Sequence, residues 1–346
     1  MGTMKAAVLQ RPGEIRVEQM RIPEPGPGEV LVRVRAVGVC GSDVHYYKEG
    51  RIGRYVVEKP LILGHESAGE VVALGSGVSH ISVGGRVAVE PGVPCRRCGY
   101  CKGGRYNLCA DVTFMATPPV DGAFAEYIAW PADFVYPLAE NLGYAEGALM
   151  EPLAVGMHAV RRARLVPGWT VLILGGGPIG QMALLAARAA GAGRIILTDL
   201  EDRRLDVASR LGADVTINPG RASVSDAVSA ATDEEGPDLV IEAAGTAATV
   251  RQSIELVRRG GTVVWIGLPS QDPCEVSALQ AIDKEVDILG IFRYANVYPD
   301  AIRLAASGKI NLAPLVTHRF PLEEARQALD TVAEQKSSAV KVLVEV

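Results

Sequence analysis

A glycine-rich stretch between residues 170 and 200 constrains the fold of this chain more than any other feature of the sequence. It opens with a short apolar run, Thr170 to Leu174, passes through closely spaced glycines into an Ala- and Leu-rich segment, and ends in a second apolar run before Asp199. Short apolar runs are typical of buried parallel strands, and Ala and Leu favour helices. Pro178 suits the first turn of a helix, where its missing N–H leaves no bond unmade. The stretch therefore predicts a strand–turn–helix–strand unit.

The glycine spacing predicts that this unit binds a dinucleotide. Gly175, Gly177 and Gly180 form a G-x-G-x-x-G pattern. Such glycines allow a tight turn and a close approach to a pyrophosphate, whose charge the helix N-terminus attracts. Asp199 stands about twenty residues further on, where a carboxylate accepts hydrogen bonds from the adenosine ribose. A 2′-phosphate would be repelled there, so the sequence predicts NAD over NADP; the alternative is an ordinary glycine-rich turn.

Composition and charge exclude several classes of partner. The chain has 346 residues, enough for two domains, and its 48% hydrophobic and 22% charged residues are typical of soluble globular proteins. Its net charge of −5 includes no basic block, so we expect neither nucleic acid nor an anionic membrane as a partner. No apolar run approaches membrane-spanning length, and the N-terminus lacks the apolar core of a signal peptide, so we expect a cytoplasmic protein.

Two patterns of secondary structure divide the chain. As far as Met150, short alternating runs such as Val30 to Val37, separated by glycine and proline, predict a mainly antiparallel, barrel-like domain. From Gly168 onward, apolar runs alternate with helical segments, which predicts a six-stranded, doubly wound α/β sheet. The predicted strands are 171–174, 195–198, 215–218, 239–242, 263–266 and 286–290, and the predicted helices lie near 179–190, 201–211, 222–231, 247–259 and 275–284.

The end of the chain is predicted to rejoin the first domain. Helical segments near 299–307 and 322–334 precede a final alternating strand, 340–346, that we expect to return to the first domain. The predicted division is therefore 1–154 with 292–346 for the discontinuous β domain, and 155–291 for the nucleotide-binding domain.

Four of the six cysteines predict a structural zinc site. The chain carries Cys95-x2-Cys98-x2-Cys101-x7-Cys109, and clustered cysteines in a long cytosolic chain indicate metal rather than disulfides. Four thiolates make a closed tetrahedral zinc site with no position for substrate. The alternative is four unrelated surface thiols, which would be open to oxidation.

A second set of residues contains the ligand types of a catalytic zinc. These are Cys40, His65, Glu66 and Glu151. Each alone has an ordinary explanation: a small buried thiol, a satisfied core histidine, a carboxylate at a helix start. Their spacing over a hundred residues does not by itself join them.

Here the chain resembles a known family. The string Gly64-His65-Glu66-x2-Gly69-x5-Gly75-x2-Val78 is similar to the zinc signature of the zinc-dependent medium-chain dehydrogenases/reductases. Within that family the chain most resembles the sorbitol (polyol, xylitol) dehydrogenases. The resemblance rests on residues 40–46, 50–53, 105–108, 116–119, 147–153, 292–294 and 314–322. It implies a Rossmann NAD domain beside a discontinuous GroES-like, mainly β catalytic domain, and a homotetramer.

The resemblance also implies roles for individual residues. Zinc would be held by Cys40, His65 and Glu66, with Glu151 on the zinc or on its water, while Ser42 and His45 would relay a proton. The implied substrate-lining residues are Tyr46, Phe114, Glu151, Arg293 and Tyr294, for which surface exposure or ordinary packing is the alternative. The implied cofactor contacts are Gly175, Gly177, Pro178, Ile179, Gly180, Asp199, Arg204, Gly267, Leu268, Phe292 and Arg293. Animal sorbitol dehydrogenases lack the four-cysteine loop that this chain keeps, so a second zinc per chain is expected.

The implied reaction is the oxidation of a sugar alcohol to a ketose. A zinc-polarised hydroxyl loses its proton, and the carbon passes hydride to NAD. The nearest alternative is another zinc dehydrogenase acting on threonine, butanediol or a simple alcohol. A third possibility is a non-catalytic nucleotide-binding protein, which the presence of all four candidate zinc ligands disfavours.

Overall fold

Short strands broken by glycine and proline make up the first part of the chain, as predicted. The structure, a computed structural model, describes residues 2–269, 273–335 and 337–346. The strands before residue 149 are β1 (Thr3–Arg11), β2 (Glu14–Arg21), β3 (Glu29–Gly38), β4 (Arg51–Ile52), β5 (Tyr55–Val56), β6 (Leu61–Ile62), β7 (Glu66–Leu74), β8 (Arg86–Val89), β9 (Gly92–Val93), β10 (Thr113–Phe114), β11 (Tyr127–Pro131) and β12 (Val135–Pro137). The helices in the same part are α1 (Gly41–Glu49), α2 (Gly99–Lys102) and α3 (Tyr144–Ala148).

The middle of the chain alternates between helices and strands. Its helices are α4 (Met150–Ala163), α5 (Pro178–Ala189), α6 (Asp202–Arg210), α7 (Val224–Ala231), α8 (Ala247–Leu256) and α9 (Ala278–Asp283). Its strands are β13 (Thr170–Leu174), β14 (Arg194–Thr198), β15 (Val215–Ile217), β16 (Leu239–Glu242), β17 (Thr262–Trp265) and β18 (Asp287–Gly290). They form one parallel sheet in the order β15-β14-β13-β16-β17-β18, which confirms the predicted six-stranded doubly wound sheet.

The last part of the chain closes the first sheet. It contains α10 (Tyr298–Ala306), β19 (Val316–Pro321), α11 (Ala325–Glu334) and β20 (Lys341–Glu345). The large β sheet runs β12-β8-β7-β3-β20-β19, with β11 also paired to β3. Because β20 pairs antiparallel with β3, the predicted return of the final strand is confirmed. On β3, Val30, Val32 and Val34 are buried while the residues between them are partly exposed, as the alternation predicts.

Contacts within the chain define two units. The first contains Met1–Glu151, Tyr298–Ser307 and Val316–Val346, and the second contains Pro152–Val297 and Gly308–Leu315. This division places residues 152–154, 292–297 and 308–315 in the second unit, whereas the sequence division places them in the first. One reason is that Arg161, on α4, donates a hydrogen bond of 2.9 Å to the Asn296 carbonyl.

Helix boundaries differ slightly from the sequence predictions, and capping explains one difference. The predicted helix 275–284 begins at Ala278, because the Ser277 hydroxyl caps it by accepting the Gln280 N–H at 3.2 Å. Among the residues that the structure describes, no helix combines the length and apolarity needed to cross a membrane.

Candidate active site

Cys40, His65 and Glu66 gather in the first unit. Cys40 is the N-cap residue of α1, and Glu66 begins β7 directly after His65. One ligand atom from each residue lies within 4.8 Å of the others. A thiol, an imidazole and a carboxylate are donor types that zinc takes, and three protein ligands leave a position for water or substrate. The three residues therefore fit a catalytic zinc.

Asp43 connects the two segments that carry this cluster. It is fully buried and accepts the backbone N–H groups of Cys40 and Gly64, each at 2.9 Å. Its Oδ1 also lies 3.6 Å from Nδ1 of His65. Burial acts to raise the pKa of Asp43, but His65 and the two N–H groups hold it below its ordinary value. The ionised carboxylate favours a His65 ring with Nδ1 toward Asp43 and Nε2 left for a metal.

Glu66 forms a buried ion pair with Lys341. The Lys341 ammonium donates to Oε1 of Glu66 at 2.6 Å, contacts Oε2 as well, and donates to the Val39 carbonyl at 3.0 Å. Burial acts to lower the pKa of Lys341, but the charges of Glu66, Cys40 and Glu151 raise it above its ordinary value. Lys341 is therefore the charge partner of the cluster's carboxylate.

Glu151 lies beside the cluster. It occupies the first turn of α4, is buried, and acts electrostatically on Lys341 and on Glu90. Its carboxylate does not belong to the set of atoms within 4.8 Å of one another. Glu90 accepts hydrogen bonds from the hydroxyls of Tyr106 (2.7 Å) and Tyr136 (2.9 Å), yet burial raises its pKa to about 7.

The proton-relay candidates lie on α1. Ser42 is half-buried in its first turn, whereas His45 is exposed and its Nδ1 lies 3.3 Å from Glu49 Oε1. Tyr46, on the same helix, is buried. The ring of Phe114 lies 5.6 Å, centroid to centroid, from the ring of His65. Phe114 is thus placed against the ligand cluster.

The four cysteines form the second cluster. The sulfur atoms of Cys95, Cys98, Cys101 and Cys109 all lie within 4.8 Å of one another, with Cys98 and Cys101 3.3 Å apart. Backbone N–H groups of residues 97 and 98 lower the pKa of Cys95 to about 6, whereas burial raises that of Cys101 to about 12. Four thiols converging from one short loop fit a closed zinc site.

The glycine turn of the second unit has the geometry of a phosphate-binding loop. Gly175 has φ +105°, a conformation that favours glycine. A Cβ at Gly180 would lie 1.8 Å from the Gly175 carbonyl oxygen, so the turn requires glycine there. Gly177 is the N-cap residue of α5, which begins at Pro178, so the prediction that Pro178 lies in the first turn of a helix is confirmed. Ile179 follows on the same helix.

Asp199 closes this turn from the neighbouring strand. It directly follows β14, and its Oδ2 accepts the Gly176 N–H at 2.7 Å while Oδ1 accepts the Glu201 N–H at 2.9 Å. Arg204 Nη1 lies 3.4 Å from Oδ2. The acid therefore holds the turn itself, a contact that the ribose argument from sequence did not include.

The remaining predicted cofactor residues lie on loops after β17 and β18. A Cβ at Gly267 would lie 2.3 Å from the Gly245 nitrogen, and Leu268 beside it is exposed. Phe292 is half-exposed, with the Arg293 guanidinium 4.8 Å from its ring centroid. Tyr294 is buried in the second unit, whereas Tyr46 and Phe114 belong to the first. The substrate pocket that these residues would share stays a prediction.

Comparisons with known proteins agree with these features. Residues 26–140 match the alcohol dehydrogenase GroES-like domain, and residues 178–307 match the zinc-binding dehydrogenase family. Sorbitol dehydrogenase of Bacillus subtilis (strain 168) is 50% identical over 341 residues, covering 99% of this chain and 97% of the relative. The chain belongs to the zinc-binding dehydrogenase family.

Solved structures extend the comparison to the fold of this zinc-binding dehydrogenase. An oxidoreductase/dehydrogenase of unknown specificity from Escherichia coli superposes with a TM-score of 0.95 at 40% identity, over 99% of both chains. A short chain alcohol dehydrogenase from Escherichia coli CFT073, in complex with NADH, superposes with a TM-score of 0.92 at 29% identity over 100% of both chains. The predicted GroES-like and Rossmann-type domains, and the resemblance to sorbitol dehydrogenases, are confirmed.

Several residues that shape the site of this dehydrogenase escaped the sequence reasoning. They are Asp43, Glu90, Gln181 and Lys341. Asp43 lies between two recognised site residues, and that position was a usable signal. Gln181 is fully buried and donates to the carbonyls of Gly176 (3.0 Å) and Arg204 (2.8 Å), so it ties the glycine turn to α6. Its place on an apolar helix face was a weaker signal.

Proposed function

We propose that this dehydrogenase oxidises a sugar alcohol, such as sorbitol or xylitol, to a ketose and transfers the hydride to NAD. The observation that carries the proposal is the gathering of Cys40, His65 and Glu66 in a chain so similar to sorbitol dehydrogenases. These three residues would hold a catalytic zinc, with Glu151 beside it as a ligand to the metal or to its water.

The mechanism assigns distinct tasks to the residues around this metal. A zinc ion bound there supplies Lewis-acid polarisation of the reacting hydroxyl. Asp43 fixes the ring of His65, and Ser42 accepts the hydroxyl proton and passes it toward exposed His45. NAD bound at the glycine turn would supply the hydride acceptor, so that oxidation of the alcohol carbon would be balanced by reduction of the nicotinamide.

Substrate recognition is assigned to polar and aromatic side chains. Tyr46, Phe114, Arg293 and Tyr294 would line the polyol site together with Glu151. A substrate with several hydroxyls needs several partners, because a buried hydroxyl without one is unfavourable. The tyrosine hydroxyls and the Arg293 guanidinium are suited to that task.

NAD would bind at the glycine turn. Gly175, Gly177 and Gly180 would accommodate the pyrophosphate at the N-terminus of α5, and Asp199 would accept the ribose hydroxyls. Arg204, Gly267, Leu268 and Phe292 would complete the cofactor contacts. The carboxylate of Asp199 favours NAD over NADP because of its charge.

The second zinc would be structural. Cys95, Cys98, Cys101 and Cys109 leave no open position and come from a loop with few buried apolar residues. A metal there would stabilise that loop in place of a hydrophobic core.

We also propose a cytoplasmic homo-oligomer, a tetramer in line with the resemblance. Support comes from the second unit, where β18 is an edge strand and α9 exposes 76% of Leu279 and 75% of Ile282. Exposed apolar groups beside an open sheet edge favour pairing with another chain.

A panel of substrates tests the proposed function. We expect NAD reduction with sorbitol, xylitol or a related sugar alcohol, at a kcat/KM well above that with threonine, 2,3-butanediol or simple secondary alcohols. Preferential turnover of one of those competitors would replace the proposed substrate by another zinc-dehydrogenase reaction. An absence of turnover in protein with verified zinc content would favour a non-catalytic nucleotide-binding role.

A further inference from the structure

The ion pair between Glu66 and Lys341 is almost inaccessible to solvent. Glu66 is 1% exposed and Lys341 is 2% exposed. Three short contacts surround the ammonium: both oxygens of Glu66 and the Val39 carbonyl. Transferring a carboxylate and an ammonium out of water is so unfavourable that their mutual attraction repays it only when the geometry is good and hydrogen bonds satisfy both groups.

The backbone is arranged so that this pair can form. Glu66 is on β7 and Lys341 is on β20, and β3 lies between them. The residue of β3 at the crossing is Gly38, which faces Glu66 in one ladder and Leu343 in the other. A Cβ there would lie 1.9 Å from Glu66 Oε2 and 3.0 Å from Lys341 Cε. The two side chains meet only because the middle strand has no side chain at that point.

The charged groups that act on Lys341 belong to the ligand cluster or lie beside it. Glu66, Cys40 and Glu151 all act on the ammonium electrostatically. These are the anionic groups of the proposed metal site. A thiolate and two carboxylates would bring three negative charges to a divalent ion, and one buried ammonium would bring the sum over these groups to zero. The Asp43 carboxylate, which faces His65, is not included in that sum.

We propose that Lys341 is a positioning residue for the metal ligand Glu66, and that its ammonium and the bound metal share the task of balancing that carboxylate. The inference rests on the proposed metal site. Without metal, the ammonium is the cation that keeps Glu66 within reach of Cys40 and His65. With metal, the divalent ion takes over part of that role. The competing explanation is that Lys341 only anchors β20 in the sheet.

The two explanations predict different responses to metal. We expect Lys341→Met to lower the thermal midpoint of chelator-stripped protein by roughly 5 °C or more, because a buried carboxylate is left unpaired. The thermal midpoint of the zinc-loaded variant should fall clearly less, because the metal then balances the charge of the Glu66 carboxylate. The four-cysteine site is loaded and stripped equally in variant and parent, so its contribution cancels from this difference. A purely structural anchor predicts the same loss in both forms.

Lys284→Met is the matched control. Lys284 is also partly buried, but it donates to the backbone carbonyls of residues 254, 255 and 257 in the second unit. Its replacement should lower the midpoint equally with and without zinc. Equal losses for Lys341→Met in the two forms would overturn the proposal.

A double variant keeps the test decisive if Lys341→Met folds poorly. Glu66→Gln combined with Lys341→Met removes both buried charges, so the stripped double variant should regain part of the lost midpoint. No recovery, or failure of both variants to fold, would show that Lys341 serves packing rather than charge. If zinc does not change the thermal midpoint of the parent protein, the proposed metal site itself is overturned. A parent that oxidises no sugar alcohol but shows these shifts would overturn only the proposed substrate.

Discussion

Glu90 is a buried carboxylate of the first unit whose raised pKa makes stability depend on pH. Its pKa is raised to about 7 by burial, against an ordinary value of 4.5. Between those two values the folded chain binds more protons than the unfolded chain, so stability falls as the pH rises through that window. We expect Glu90→Gln to remove this fall and to be more stable than the parent at pH 8, by up to about 3 kcal/mol.

Thermal midpoints of both proteins between pH 5 and pH 8 measure the effect. The two proteins should differ little near pH 5 and diverge toward pH 8. Glu140→Gln, at an exposed glutamate of the same unit, should follow the parent at every pH. Parallel curves for Glu90→Gln and the parent would contradict the raised pKa.

Asp199 allows a second prediction at the level of one residue. Asp199→Asn keeps an oxygen that can accept backbone N–H groups but removes the charge that disfavours a 2′-phosphate. Because a charged hydrogen bond contributes about 1.5–3 kcal/mol, the ratio of kcat/KM for NAD to that for NADP should fall by roughly 10- to 100-fold. Steady-state kinetics with both cofactors measures it.

Asp202→Asn is the control for that ratio. Asp202 lies three residues further along and pairs with Arg221 on the surface. Its replacement should leave the cofactor ratio unchanged. Equal use of NAD and NADP by the parent protein would refute the role given to Asp199.

At the scale of elements, the sequence predicted the strands, the glycine turn and the cysteine loop, because each is marked by a pattern within a short stretch of the chain. The six parallel strands are short apolar runs, and the turn requires glycine at Gly175, which has φ +105°, and at Gly180, where a Cβ would lie 1.8 Å from the Gly175 carbonyl oxygen. The four cysteines converge because their spacing along one loop is short. These features are recognisable from short stretches of sequence, although the packing of Ala244 against Gly175 is not.

The ion pair under the ligand cluster could not be predicted in the same way. It depends on the registers of three strands that bring residues 38, 66 and 341 together. Lys341 opens a strand whose other residues look like any alternating run, and no local pattern marks its burial. The burial of Glu90 could not be predicted either, because its tyrosine partners come from separate segments of the chain.

The loop that carries the four cysteines is the element whose order we expect to depend on metal. Cys101→Ser should reduce the zinc content from about two to about one per chain. Trypsin should then cleave more rapidly at the basic residues of the loop, because the loop contains few buried apolar residues. Metal analysis and limited proteolysis measure both effects.

Cys274→Ser is the control for the cysteine loop. Cys274 lies outside both ligand clusters, so this variant should keep two zinc ions and the parent's resistance to trypsin. A Cys101→Ser variant that retains the second zinc would contradict the assignment.

At the scale of the whole molecule, the exposed apolar face of α9 is the feature that a lone chain would not be expected to keep. Leu279 and Ile282 are three residues apart, so they lie on one face of the helix. The edge strand β18, which exposes Ile288, belongs to the same unit. We expect Leu279→Glu combined with Ile282→Glu to shift the protein to a smaller species in sedimentation-velocity measurements, because burying two new charges would oppose association. Val83→Glu, at an exposed apolar residue of the first unit, should sediment like the parent. A parent that sediments as a monomer, or a double variant that assembles as the parent does, would show that this face does not join copies of the chain.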